Sequence, residues 1–203
     1  MNTRSPATSG AVTFGIGDRF NGPGPVRVGW LQRHRYYDPD IGVPTLPKAD
    51  QAFGGWKIGL DFDQFDRMHF PTRGWAAQLS WFESPGSHYA RADADLRGAY
   101  AIGGTVVNAR LRYTGSPRGT LPVFDAGTLG GVLNLTAFAP KQIMGDNIGY
   151  VGVRGEQIIG RLPLGLRGDM RVGVALEAAK VGTRYTESSR SGLIDSTAIY
   201  VGG

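Results

Sequence analysis

The chain has 203 residues, 41% apolar and 19% charged, with 32 glycines and no cysteine; this suits a folded chain and leaves no thiolate for a disulfide, a metal site or a nucleophile. The formal net charge is +5, but Lys and Arg are interleaved with Asp and Glu rather than pooled, which argues against a nucleic-acid partner. No stretch approaches the ~18 consecutive apolar residues of a membrane helix, so only a barrel could carry this chain through a bilayer core.

Met1–Gly10 has no apolar core of a secretory signal, which leaves a cytoplasmic protein or the interior of a longer exported chain. Beyond it, hydrophobicity repeats with a period of two, the mark of strands whose faces meet different surroundings. Strands are expected over Ala11–Phe20 and Val26–Tyr37. From Trp56 to Asp63, Trp56, Ile58, Leu60 and Phe62 share a face opposite Lys57, Gly59, Asp61 and Asp63.

After the turn residues Pro71–Gly74, Trp75, Ala77, Leu79 and Trp81 alternate with Ala76, Gln78, Ser80 and Phe82, until Ser84-Pro85-Gly86-Ser87 breaks the pattern. Ala90, Ala92, Ala94, Leu96 and Tyr100 then oppose Arg91, Asp93, Asp95 and Arg97. Gly103-Gly104 turns the chain into Val107, Ala109, Leu111 and Tyr113, opposed by Asn108, Arg110 and Arg112. Gly149–Gln157 alternates around Val151 and Val153 against Arg154 and Glu156. Met170, Val172, Val174, Leu176 and Ala178 oppose Arg167, Asp169, Arg171 and Glu177, and Ser196–Val201 is the last strand expected.

That makes roughly nine strands of about 8 to 14 residues, with longer connections at Asp38–Asp50, Ser116–Asn147 and Gly182–Asp195. Such strands exceed the five or six residues usual in soluble sheets and match the 9 to 11 or so that a tilted membrane crossing needs. Their apolar face is rich in Ala and Gly, which fill a sandwich core poorly but are harmless against lipid. Trp30, Tyr36, Trp56, Trp75, Trp81, Tyr100, Tyr113, Tyr150 and Tyr200 lie near strand ends, where an interfacial girdle would place them. The expected fold is all-β, an antiparallel up-and-down transmembrane β-barrel that residues 1–203 build only in part. A soluble β-sandwich that binds carbohydrate or protein is the alternative, since it also alternates but buries its apolar face.

Catalytic and cofactor signatures are missing from the sequence. There is no Gly-x-Ser-x-Gly, and His34, His69 and His88 have no paired-ligand spacing, so neither a metal nor another cofactor is expected. Asp61, Asp63 and Asp66 lack the Gly and Glu of a calcium loop and are expected to pair with arginines. Gly149–Gly155 is glycine-rich but leads into no helix, and Asn134-Leu135-Thr136 is a chance sequon.

Two segments carry a family resemblance. Asp61–Gly74 (DFDQFDRMHFPTRG), with Phe70, Pro71, Thr72, Arg73 and Gly74 at its end, resembles the turn motif of the surface-antigen, BamA-TamA-type outer-membrane barrel superfamily. Phe124–Phe138 (FDAGTLGGVLNLTAF) resembles its long surface loop, and Leu129, Gly130, Gly131, Leu133 and Asn134 look most like the patatin-like phospholipase branch of type V secretion. In the assembly-factor branches this loop has an Arg-Gly-Phe type tip folded into the lumen, whereas Asn134 and Ala137 stand in the places of its Arg and Gly.

The resemblance spans about Ala52–Val201 and implies a barrel of about sixteen strands, of which this chain would be a fragment truncated at both ends. It implies the bacterial outer membrane, with lipid, the barrel assembly machinery and an attached passenger domain as partners. The module itself would be no enzyme. It would anchor or help translocate that passenger, a patatin-like lipase in the parent protein. The lumen would be lined by Arg91, Asp93, Asp95, Arg97, Arg110, Arg112, Arg167, Asp169 and Arg171.

Overall fold

A computed structural model describes residues 7–16, 26–37, 49–68, 70–86, 89–161, 168–185 and 192–202. In chain order the strands are β1 (Ala7–Ile16), β2 (Val26–Tyr37), β3 (Ala49–Asp63), β4 (Arg73–Ser84), β5 (Tyr89–Ile102), β6 (Thr105–Arg118), β7 (Gly127–Leu129), β8 (Ile143–Gly145), β9 (Ile148–Arg161), β10 (Asp169–Val181) and β11 (Leu193–Gly202). Nine of them form one antiparallel sheet in the order β1-β2-β3-β4-β5-β6-β9-β10-β11, each next to its neighbour in sequence apart from the excursion between β6 and β9. The excursion contains the small hairpin β7–β8 and one short 3-10 turn, Val123–Asp125. The expected nine long strands are therefore present. β2 has the expected limits, while β1 begins earlier and residues 17–20 of its expected span lie outside the described residues.

Side-chain exposure separates a barrel wall from a sandwich. The face carrying Val28, Trp56, Ile58, Leu79, Leu96, Leu111, Val153, Val174 and Leu176 is exposed, and Leu111 retains 53% of its surface. The opposite face holds the buried charges Glu156, Arg171 and Glu177. A sandwich would show the reverse, with the apolar side dry between two sheets. The only other sheet among the described residues is the two-stranded hairpin, which is too small to cover this one. The sandwich alternative is thus excluded, and the fold is the wall of an apolar-out, charged-in barrel.

All four tryptophans of the chain lie on the exposed face. Trp30 meets Trp56 edge to face at 5.4 Å across β2 and β3, and Phe62 stacks on Trp75 at 5.9 Å. Trp75 and Trp81 are six residues apart on β4, roughly 20 Å at the rise of an antiparallel strand. That approaches the ~25 Å apolar band of a membrane barrel, flanked by aromatic rows. Two of the girdle aromatics named from the sequence are elsewhere: Tyr150 and Tyr200 face the charged side, bonded to Glu177 and Glu156 at 2.7 Å each. Parity explains the correction, because Tyr150 is an even residue of β9 and shares a face with Arg154 and Glu156. The side chain of Tyr36 lies outside the described residues.

The sheet curls around its charged face. Leu31 of β2 joins Phe82 of β4, Tyr89 of β5 and Leu121 in one apolar cluster, with Phe124 packed against it. Register shifts at Ala90/Ala92 and Met170/Arg171 mark the irregular points of the ladder, as bulges do where a sheet bends.

Candidate functional site

The candidate site is the charged face together with the 119–147 connection, which folds back over it. Each of four adjacent strands offers this connection one side chain. From β6, Arg112 Nη1 donates to Asn134 Oδ1 at 3.2 Å. From β9, the Tyr150 hydroxyl lies 3.3 Å from the Leu133 carbonyl and donates to Glu177 at 2.7 Å. From β10, Glu177 accepts the amides of Leu135 and Thr136 at 3.1 and 2.7 Å. From β11, Ser196 Oγ accepts the amide of Ala137 at 3.0 Å. Strand register lines these residues up, since Arg112 pairs with Tyr150 and Glu177 with Ser196.

Local backbone makes this docking possible. Gly130 and Gly131 take φ values of 113° and 104°, and Leu133 and Leu135 take 55° and 74°. A Cβ on Gly130 would collide with the Ala139 carbonyl. The left-handed residues turn the successive amides of Leu135 and Thr136 the same way, forming a concavity that receives the Glu177 carboxylate. Beneath it Leu129, Leu135 and Ile143 pack with Ile148, Tyr150, Ala179, Val181 and Ile194, so an apolar core secures the loop on the β9–β11 wall. The first half of the connection is tied at Asp125, which accepts from Tyr89 at 3.0 Å and from Arg91 Nη1 at 3.1 Å.

The charges named from the sequence form short-range pairs on this face. Arg91 pairs with Asp93 at 2.8 Å, and Asp93 also accepts from Thr114 at 2.9 Å and Ser80 at 3.2 Å. Arg110 holds Asp95 through two bonds of 3.0 and 2.6 Å, while Arg97 approaches the same carboxylate only to 3.8 Å. Arg171 is buried against Glu156 at 2.9 Å, with Asp169 at 3.8 Å. Arg167 lies outside the described residues. Between β2 and β6 the face encloses a cavity of about 670 Å³ bordered by Arg27, Lys57, Asp61, Gln78, Asp95, Arg110 and Arg112.

The turn-motif residues sit at the opposite end of the strands from this connection. Asp66 accepts from the Thr72 hydroxyl and from the amides of Thr72 and Arg73 at 2.9 and 3.0 Å. Burial by itself would raise the Asp66 pKa, but these hydrogen bonds and the Arg67 charge outweigh it and hold it at about 2. Phe70 has φ 48° and Gly74 φ 116°, where a Cβ would strike the Gln64 carbonyl. Arg73 lies over the Tyr100 ring at 5.9 Å. Of the three aspartates expected to pair with arginine, Asp61 does so with Arg27 at 3.0 Å. Asp63 caps the amide of Phe65 instead, and Asp66 organises the turn.

Glu177 was legible only as one more charge on its face, and Tyr150 only as an aromatic. Their shared inward parity was the signal that both belong to the loop's docking site.

A single rolled antiparallel sheet with lipid-type residues outside and paired charges inside defines the class as an outer-membrane β-barrel fold. Solved structures agree. BamA from Haemophilus ducreyi, crystallised without POTRA domains 1–3, is 13% identical with a TM-score of 0.71 over 91% of this chain and 42% of its own. CdiB from Acinetobacter baumannii is 16% identical with a TM-score of 0.62 over 97% of this chain and 35% of its own. The chain spans less than half the length of either. No protein-family model and no curated protein matches the sequence.

Proposed function

We propose that this chain is the membrane-embedded wall of a bacterial outer-membrane β-barrel, with its charged face turned to the lumen and the 119–147 loop lodged there, and that it serves assembly or translocation by anchoring or passing an attached domain. The observation that carries the proposal is the inverted exposure of the two faces: an exposed apolar surface such as Trp56, Leu111 and Val153 has lipid as its natural neighbour, whereas the buried Arg171–Glu156 pair does not. The fold shared with BamA and CdiB supports the same role. On this reading its partners are outer-membrane lipid, the barrel assembly machinery and the passenger. The patatin-like resemblance of Leu129–Asn134 makes a lipase the expected passenger.

The test is to express the chain with a signal peptide and fractionate the cells. A heat-modifiable band in the outer membrane, or its recovery when further strands of the parent gene are added, is the expected result. A soluble folded monomer in the cytoplasm would overturn the proposal. The passenger is tested by reading the DNA upstream of Met1 for an in-frame Gly-x-Ser-x-Gly.

A further inference from the structure

Alternation of the strands places the 119–147 connection at one mouth of the curled sheet and the β3–β4 turn, described over residues 64–68 and 70–72, at the other. That turn crosses the mouth instead of projecting from it. β10 lies four places from β4 in the sheet order, some 19 Å away along the sheet at ~4.8 Å per strand. Yet Arg67 Nη1 reaches Asp169 Oδ2 of β10 at 2.7 Å. The Phe70 ring stands 5.6 Å from the Arg171 guanidinium, and its far edge is so near β11 that a Cβ on Gly202 would come within 2.9 Å of it.

We infer that residues 64–68 and 70–72 act as a strap that closes the short-turn mouth of the interior, docked on β10 and β11 through Arg67 and Phe70 and able to lift without disturbing the strands. Three observations support this. The turn is shaped from within by Asp66, Phe70 and Gly74, so it keeps its form whether docked or lifted. Its receiving surface is fixed independently, because Glu156, which also accepts from the Tyr200 hydroxyl, pairs with Arg171 beside Phe70. Finally, the Arg67–Asp169 pair is partly solvent-exposed, 52% and 27% for the two side chains, so it is weak and screened by salt. A contact of that kind can open reversibly.

The inference rests on the charged face being a lumen, and its test is separable from that reading. The chain has no cysteine, so introduced thiols are unique. In outer-membrane material already shown to be heat-modifiable, Arg67→Cys with Asp169→Cys should be bridged by a short bifunctional thiol reagent, and 1 M salt should slow bridging of the remaining contact pair, Phe70→Cys with Gly202→Cys. Gln78→Cys, facing the interior cavity, should react severalfold faster with a bulky maleimide when Arg67→Gln and Phe70→Ala release the strap. The mild variant Arg67→Gln alone should give a smaller increase. Failure to bridge Arg67→Cys to Asp169→Cys, or labelling of Gln78→Cys that ignores the strap substitutions, would overturn the strap while leaving the membrane reading intact.

Discussion

Glu177 is a single carboxylate on which the loop converges, taking two backbone amides and the Tyr150 hydroxyl at once. Hydrogen bonds to a charged acceptor contribute about 1.5–3 kcal/mol. Glu177→Gln preserves the shape but withdraws the charge and should destabilise the docked loop by about 1–3 kcal/mol, read as faster hydrogen exchange at Leu135 and Thr136 and a lower denaturation midpoint in detergent. The buried Arg171–Glu156 pair behaves differently. Arg171→Leu alone strands a carboxylate and should cost about 3–5 kcal/mol, whereas Arg171→Leu with Glu156→Leu should regain most of the loss; unfolding of the two variants side by side decides it. Asp66 makes the turn acid-sensitive. Its folded pKa, about 2, lies below the ordinary 3.8, so its stabilisation is present above 3.8 and is lost as pH falls through about 2. Pepsin cleavage near Phe65 and Phe70 should rise across that interval, and Asp66→Asn should flatten the dependence.

At the scale of elements, the strands were legible because side chains alternate strictly, and a one-residue change of parity moves a side chain from one face of the sheet to the other. β2 was found to the residue, and β4, β5, β6, β9 and β10 were found short at their ends. Strand ends outlast the alternation because backbone pairing continues where the side chains no longer sort by polarity. β7 and β8 escaped notice, since three residues each are too few to show a period. Residue type misled where it was weighed above parity, as with Tyr150 and Tyr200. The two faces differ in what they tolerate. Leu111→Arg on the exposed apolar face should cost about 2–4 kcal/mol if it lies near the bilayer midplane, while Gln78→Arg on the charged face should cost far less. Folding titrations into lipid vesicles compare them.

For the whole molecule, the exposed apolar face predicts contact with acyl chains. All four tryptophans, Trp30, Trp56, Trp75 and Trp81, stand on that face, so brominated lipids should quench most of the tryptophan emission and aqueous iodide should quench little. The opposite pattern would place the apolar face in water and contradict the orientation. The two interior coverings follow from the same curvature. The loop crosses from β6 to the β9–β11 wall, and the turn crosses from β3–β4 to β10.

By itself, the sequence determined that the chain is a run of long antiparallel strands with one apolar and one charged face, because periodicity is a local property written residue by residue. It set apart Phe70–Gly74 and Leu129–Asn134 only through a family resemblance. Only the tertiary structure decided which face is exposed, that Glu177, Tyr150, Arg112 and Ser196 converge on one loop, and that Arg67 reaches Asp169. Those contacts join residues as many as 102 positions apart. They exist because the sheet curls, and curvature belongs to all the strands together.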